Sequence, residues 1–468
     1  MKIHVKNLGI LKQAEFSPGD ITIICGENNT GKTYATYAYF GFLSFWREAF
    51  SVEIEGEKIE HLLANGIVHI NLLSYLEKSQ EILTKGCQEY TKQLANVFAA
   101  SENRFKEAEF RIDLDSEAIQ LKGQLKDQYH NKITSVNDIK FFSITKSKES
   151  DDLVVTLLVE KEKMEFPKDI ISHFLNDAIK EILFNRFFPK PFIASAERTG
   201  AAIFRRELDF TRNRLLEEIS KSDKNKNINP IKLFLKNYRD YALPVKNNVD
   251  FIRQLEKFAK QNSFIQEKHS DLLRDFADII GGEYAVNRND ELYYIPKSSH
   301  AKLTMDESSS AVRSLLDVGF YLRHIAQSGD LLMVDEPELN LHPENQRRIT
   351  RLFARLLRLG IKVFITTHSD YIIKELNTLI MLNHDKPHLK RIMEQEGYKP
   401  EELVSADQIK VYIAEKALIK LEGSQKKTRC QTLISAKIDP EWGIEARSFD
   451  TTIETMNRIQ EEIVWGDD

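Results

Sequence analysis

Three short apolar runs organise this chain: Ile21-Thr22-Ile23-Ile24-Cys25, Leu331-Leu332-Met333-Val334 and Ile361-Lys362-Val363-Phe364-Ile365-Thr366-Thr367. Each is nearly continuous rather than alternating, the pattern of a strand covered on both faces in a parallel sheet. Apolar positions switch to helical spacing from Tyr34 to Trp46 and from Asn345 to Leu359, with Gly360 as the stop of the second helix. The last two runs and the helix between them make a β-α-β unit, for which a right-handed crossover is expected.

Other segments carry weaker patterns. Leu72 to Ala100 reads as helical, Ile139 to Ile144 and Leu153 to Val159 alternate like strands, and Asp169 to Asn185 reads as a helix. The stretch 51–189 is therefore expected to form a mixed lobe whose sheet continues that of the flanking parts. From about 203 to 280, Phe251, Ile252, Leu255, Phe258, Leu272, Leu273, Phe276, Ile279 and Ile280 recur at helical spacing, and the polar run Lys221 to Asn227 divides the region. Two helices of about 20 to 30 residues would reach only about 30–45 Å, so this insert is either a short coiled coil or a compact helical subdomain. Glu283 to Val286, Leu292 to Ile295, Ile409 to Ile413 and Thr432 to Ile434 read as strands. Thr451 to Val464 reads as a helix with Asp450 as its N-cap.

Between the first run and its helix lies Gly26-Glu27-Asn28-Asn29-Thr30-Gly31-Lys32-Thr33, which fits the phosphate-loop pattern G-x-x-x-x-G-K-S/T at every fixed position. A glycine-rich turn from strand into helix aims the backbone N–H groups of Gly26, Asn28, Asn29, Thr30 and Gly31 at one point, beside the positive end of a helix dipole. Polyphosphate is the expected ligand. Lys32 would reach the β- and γ-phosphates, and the Thr33 hydroxyl would ligate Mg²⁺. The second run ends in Asp335-Glu336-Pro337, where the first acid would hold Mg²⁺ and the second would take a proton from the attacking water. His368 leaves the third run at the same edge, where its side chain could bond the γ-phosphate.

Length and composition narrow the setting. With 468 residues, 42% hydrophobic and 29% charged, the chain is long enough for two or three globular domains. A net charge of −5 provides no global basic field for nucleic acid. Two local basic stripes, Arg347/Arg351/Arg355/Arg358 and Arg205/Arg206/Arg212/Arg214, are either phosphodiester contacts or solvated faces and subunit contacts. Cys25, Cys87 and Cys430 are scattered, which suits a reducing cytoplasm. The opening Ile3-His4-Val5 already reads as a strand, so no signal peptide is expected, and no apolar run approaches the roughly 20 residues of a membrane span.

The phosphate loop, the strand ending in Asp-Glu-Pro and the strand ending in His together resemble the ABC-type ATPase heads, including the SMC-like ATPases. Asp335 to Pro343 and Thr367-His368-Ser369 are especially similar to the OLD (overcoming lysogenization defect) branch. That family carries a serine signature upstream of the acids. Here Ser308-Ser309-Ser310-Ala311-Val312-Arg313 resembles its Ser-Ser-Gly-x-Gln/Arg variant, with Ser310 standing 25 residues before Asp335. Ser310 takes the serine role, Arg313 the glutamine/arginine role, and Ala311 replaces a glycine. The competing reading is a serine-rich helix cap. Phe192 to Gly200 is similar to the segment that replaces the glutamine loop in this branch. It lacks glutamine, and Arg198 is either a sensor of nucleotide or neighbour or an ordinary surface arginine.

The resemblance implies an α/β fold: a P-loop ABC-type ATPase head with a mixed sheet, split by a mixed α/β lobe and a short helical insert. The implied parts are head segments 1–48, 190–202 and 283–385, a lobe at 49–189, a helical insert at 203–282 and a C-terminal α/β segment at 386–468. It implies a slow ATPase using ATP and Mg²⁺, with Glu336, His368 and Lys32 as catalytic residues. The signature serine of one copy meets the nucleotide of another, so the chain is expected to act as a homodimer or larger homo-oligomer. The layout is most similar to the ATPase subunit of the PARIS anti-phage system, with Septu-like systems as close competitors. There the ATPase is a sensor and scaffold controlling a separate TOPRIM-type nuclease, and a phage protein is the trigger. No Glu with Asp-x-Asp pattern follows His368, so a nuclease would be another polypeptide. The alternative is an SMC-like DNA-repair or DNA-maintenance ATPase that clamps duplex DNA directly.

Overall fold

The computed structural model describes residues 1–114, 125–134, 140–158, 168–203, 241–287, 291–299, 301–445 and 447–465. The Lys221 to Asn227 loop and the stripe Arg205/Arg206/Arg212/Arg214 lie outside these residues. The chain divides into two compact units. One is built from Met1–Lys6, Phe42–Leu94 and Glu107–Pro189, the other from Asn7–Gly41, Ala95–Lys106 and Lys190–Asp468. The architecture is mixed α/β.

In the first unit, β4 (Ile67–Asn71), β8 (Asp152–Leu157), β7 (Lys140–Lys146) and β6 (Tyr129–Thr134) form an antiparallel sheet in that order. Alternation in β8 puts Leu153 and Val155 inside and leaves their neighbours partly exposed, as a one-sided sheet requires. This four-stranded sheet is a separate one, while another strand of the stretch 51–189, Glu109–Asp113, pairs with a strand of the flanking segment 1–48. Residues Lys2–Lys6 of β1 (Lys2–Leu8) pair antiparallel with β5 (Glu109–Asp113). A cluster of Phe42, Trp46, Phe50, Tyr90, Phe110, Phe184 and Phe188 fills the core beside the helix Ser79–Lys92.

Gly86 on that helix has no room for a side chain, since a Cβ there would sit 2.1 Å from the Phe50 ring. Alanine would favour the helix by about 1 kcal/mol, but overpacking a filled core costs about 1–3 kcal/mol. Phe50 is 1% exposed and wedged among other rings, so the clash wins. Gly86→Ala is expected to lower the calorimetric melting temperature; an unchanged or higher value would show that the cluster repacks freely.

The second unit is built on a six-stranded sheet in the order β15 (Lys427–Ser435), β14 (Ile409–Lys420), β3 (Ile21–Cys25), β13 (Lys362–Thr367), β12 (Leu331–Asp335), β9 (Pro191–Ala194). The pairs from β14 to β9 are parallel and the β14–β15 pair is antiparallel, which makes the sheet mixed. β3 and β12 are buried at every position, as their unbroken apolar runs demand. Helices Pro343–Arg358 and Asp370–Met381 follow β12 and β13. The first ends where Gly360 takes φ +75° and the Ile361 N–H donates to the Leu356 carbonyl. Two strands of the C-terminal segment thus complete the central sheet, next to the strand that precedes the phosphate loop. The last helix runs Arg447–Trp465, so Asp450 lies inside its backbone rather than at its N-cap. No described helix is long and apolar enough to cross a membrane.

Candidate functional site

The ends of β3, β12 and β13 meet because the strands are parallel and in register, with Asp335 opposite Thr366 and Thr367 opposite Cys25. In parallel α/β sheets the carboxyl edge is where ligands bind. Beyond β3 the loop turns through Gly26 (φ +138°), Asn29 (φ +59°) and Gly31 (φ +100°) into the helix Lys32–Ala49. A Cβ on Gly26 would lie 2.6 Å from the Ala414 carbonyl oxygen, a backbone atom with nowhere to go. The Gly31 carbonyl accepts the first helical bond from the Ala35 N–H, 3.2 Å away. The N–H groups of the first turn therefore have no intrahelical acceptor. Asn28 and Asn29 are exposed, Thr30 is half-buried with its hydroxyl on the Glu27 carbonyl at 2.7 Å, and Thr33 is exposed.

Lys32 is buried, and its Nζ donates to the Gly26 carbonyl at 3.1 Å and to the Glu27 carbonyl at 2.8 Å. Burial pulls its ammonium pKa down, while Glu336, Asp335, Cys25 and Glu338 push it back up. The lysine thus faces the acidic pair across the cradle. Asp335 is 2% exposed and accepts from the Thr366 hydroxyl. Burial, and the Glu336 charge beside it, push its carboxyl up to about 6 despite Thr366 and Arg198. Glu336 is half-buried, and its Oε1 lies 3.3 Å from His368 Nε2. Its backbone is left-handed, with φ +51°. A non-glycine residue held there costs about 1–3 kcal/mol and persists only when its surroundings hold it. The Glu336 N–H donates to Thr366, 3.1 Å to the carbonyl and 3.2 Å to the hydroxyl. Glu338 holds the neighbouring strand end, its Oε1 accepting from the Thr367 hydroxyl at 2.8 Å and the His368 N–H at 2.6 Å.

The donor set suits magnesium. An exposed threonine hydroxyl and a buried carboxylate are hard oxygen ligands, and a magnesium ion that arrives on phosphates needs only one or two from protein. Among the described residues no three His, Cys, Asp or Glu side chains converge as a metal site.

Two findings were not legible in the sequence. Arg198 is not a surface residue but is fully buried, and its guanidinium donates only to backbone carbonyls. The nearby Asp317 is also buried, and neither of its carboxylate oxygens has a hydrogen-bond partner among the described residues. Burial pushes its carboxyl up to about 7, against the pull of the Arg198 charge, while the buried Tyr284 phenol beside it stays protonated. A carboxyl that holds its proton more tightly folded than unfolded loses stability as pH rises from about 4 to about 7. Asp317→Asn should remove that slope, so its melting temperature relative to wild type should rise between pH 5 and pH 8. A difference that stays flat across that range would mean the carboxyl titrates normally in the fold.

Ser310 and Arg313 make only local side-chain hydrogen bonds among the described residues. Ser309 caps the helix Ser310–Ser314 by accepting from the Val312 N–H, and Ser310 is exposed on its first turn. Arg313 donates to the Ser308 carbonyl at 2.5 Å and the Ser310 hydroxyl at 3.3 Å, stiffening the segment.

Three of the four arginines in the stripe after the acids are paired with acids within the fold. Arg347 and Arg351 both bond Glu375, at 2.7 and 2.5 Å, and Arg351 stacks on Tyr398. Arg355 pairs with Asp271 and Asp275, and Arg358 donates to the Leu403 carbonyl at 3.1 Å. Arg347, Arg351 and Arg355 thus pair with acids inside the fold, which neither the phosphodiester reading nor the solvated-face reading foresaw, while Arg358 is exposed.

A profile of the AAA ATPase domain matches residues 1–373. A comparison with curated proteins returns no match. Among solved structures, the chain is similar to an SmcHead bound to the C-winged helix domain of ScpA, with 11% identity, 93% of this chain and 97% of that one covered, and a TM-score of 0.33. It is also similar to the SMC head domain from Thermotoga maritima, at 9% identity, 93% and 98% coverage and a TM-score of 0.30. A third is the Smc head domain with an extended coiled coil bound to the C-terminal domain of ScpA, from Pyrococcus furiosus, at 12% identity, 98% coverage of both chains and a TM-score of 0.30. With a phosphate loop, an acid-tipped strand and a histidine-tipped strand meeting at one sheet edge, and with four-fifths of its length inside the matched profile, this chain belongs to the AAA ATPase domain family.

Proposed function

We propose that the chain binds Mg–ATP in the 26–33 cradle, hydrolyses the γ-phosphate with Glu336, and assembles through its nucleotide sites. In that assembly it serves as the sensor and scaffold subunit of a bacterial anti-phage complex controlling a separate TOPRIM-type nuclease. The carrying observation is the meeting of Lys32, Asp335, Glu336 and His368 at one sheet edge. Thr33 and Asp335 would hold Mg²⁺, which supplies charge neutralisation on the β- and γ-phosphates. Lys32 moves from its two loop carbonyls to phosphate oxygens. Glu336 accepts the proton of the attacking water, and His368 steadies that carboxylate from 3.3 Å while its other ring nitrogen remains for the γ-phosphate.

The exposure of Ser310, whose hydroxyl meets only the Arg313 side chain among the described residues, leaves it open to a nucleotide on another copy and supports a composite site. Mixing Lys32→Ala and Ser310→Trp proteins, each inactive alone, tests this. The Ser310→Trp copy keeps Lys32 in its cradle, and the Lys32→Ala copy keeps an unblocked serine. One intact site can form between the two, so partial ATPase activity is expected to return. No recovery over a range of mixing ratios would argue for a self-sufficient head. The nuclease and trigger rest on the family resemblance alone, and co-purification of the full chain with products of its neighbouring genes tests them. Direct DNA clamping is disfavoured by the paired arginine stripe; steeply salt-dependent duplex binding by the pure protein would revive it.

A further inference from the structure

The four backbone carbonyls around the Arg198 guanidinium belong to three separate elements. Nε donates to Ser314 at 2.6 Å, Nη1 to Ser195 at 2.9 Å and to Asp335 at 2.5 Å, and Nη2 to Glu336 at 2.8 Å. Ser195 follows β9, Ser314 ends the serine-segment helix, and Asp335 and Glu336 end β12. We propose that Arg198 is a positioning residue that ties the placement of the serine segment to the orientation of Glu336. This rests on the reading of Glu336 as the base that activates water.

Three observations carry it. First, Glu336 is held in a left-handed backbone, and Arg198 grips its carbonyl while Thr366 grips its N–H. The peptide on either side of the residue is thereby fixed, and the side chain inherits its direction. Second, the serine segment reaches the same stretch by a second route, since the Ser314 hydroxyl donates to the Leu339 carbonyl at 3.1 Å. A shift of the helix Ser310–Ser314 therefore cannot leave the segment after Glu336 in place. Third, no Arg198 donor is given to a carboxylate in this grip. The acids keep their side chains for metal and water, while the positive charge is balanced at longer range by several acids together: Asp317, on the helix Leu316–Phe320 that continues the serine segment, Asp335, Glu338 and Glu336. The guanidinium reaches these four carbonyls from three separate nitrogens, whereas a lysine ammonium carries three donors on one atom and cannot satisfy all four. Contact of the serine segment with a second copy would thus be felt at Glu336 through Arg198, with the Ser314 hydroxyl as a second link to the segment that follows.

A purely structural arginine would also be buried and saturated, so the test must separate folding from turnover. Arg198→Met together with Asp317→Leu removes both buried ionisable groups at once, so neither is left alone, while the four carbonyls that lose their donor lower the melting temperature. The full chain carrying both changes, and the single R198K chain, are compared with wild type and E336Q for melting temperature, binding of a fluorescent ATP analogue and single-turnover hydrolysis. Small misplacements of reacting groups cost up to roughly a hundredfold in rate. Expected for R198M/D317L is a lowered but still cooperative melt above the assay temperature, analogue affinity within about threefold, and hydrolysis slowed at least about tenfold; R198K should show the same split. Hydrolysis within twofold of wild type in a folded R198M/D317L protein, or in R198K should the double variant not fold, overturns the proposal. If E336Q itself hydrolyses at the wild-type rate, the reading of the base falls first and takes the proposal with it. A slow E336Q beside a fast, folded R198M/D317L sinks the proposal alone.

Discussion

Replacing Glu336 by glutamine is expected to slow ATP hydrolysis by roughly 10²–10⁴-fold, the usual contribution of a positioned general base. Mg–ATP should stay bound. Glutamine keeps the shape of the side chain, and the backbone grip on residue 336 comes from Thr366 and Arg198, which the substitution does not touch. The side chain loses only its capacity to take a proton. The variant should therefore accumulate with intact ATP, and its particle mass by light scattering should rise on adding Mg–ATP, because the closed assembly no longer opens after hydrolysis. Hydrolysis at the wild-type rate would remove Glu336 from the chemistry. A slow enzyme whose mass does not change would leave the base in place and remove nucleotide-driven assembly.

Lys32→Ala should act one step earlier, on binding itself. Lys32 is buried, faces Asp335 and Glu336, and has only two carbonyls to satisfy it. Polyphosphate gives it charged acceptors instead, and a hydrogen bond to a charged group contributes about 1.5–3 kcal/mol. Its removal should weaken ATP by roughly tenfold to more than a hundredfold, and it leaves the two carboxylates facing phosphate without a counter-charge from the loop. Titration calorimetry of the full chain with Mg–ATP reads this directly. The fold should survive, because alanine suits the first turn of the helix Lys32–Ala49 and deletes no apolar packing. ATP affinity unchanged by this substitution would mean that nucleotide binds elsewhere.

The parts legible in the sequence were those whose signal is local. Continuous apolar runs marked β3, β12 and β13, because a strand buried on both faces has no polar face to show. The phosphate loop was legible because its glycines answer a local backbone need, seen in the positive φ of Gly26 and Gly31. The arginine stripe Arg347/Arg351/Arg355/Arg358 stayed open between two readings for the converse reason. Spacing places four charges on a helix, but says nothing about Glu375, Asp271 and Asp275 arriving from elsewhere to pair with three of them. The alternation of Ile409 to Ile413 announced a strand, yet not that it would lie beside β3 and back the phosphate loop.

Arg198 marks the boundary most clearly. In the sequence it is one arginine after a short apolar run, and nothing local decides between a sensor and a surface residue. Its function in the fold comes from carbonyls at Ser195, Ser314, Asp335 and Glu336, and carbonyl groups are carried by every residue, so no pattern of side chains can announce them. The chain alone determined which residues could cradle phosphate and which strands could carry acids, since these depend on local sterics and periodicity. Which acids face Lys32, which charges cancel, and what holds Glu336 in a left-handed turn were decided only when distant segments packed, because burial and pairing are properties of neighbours in space.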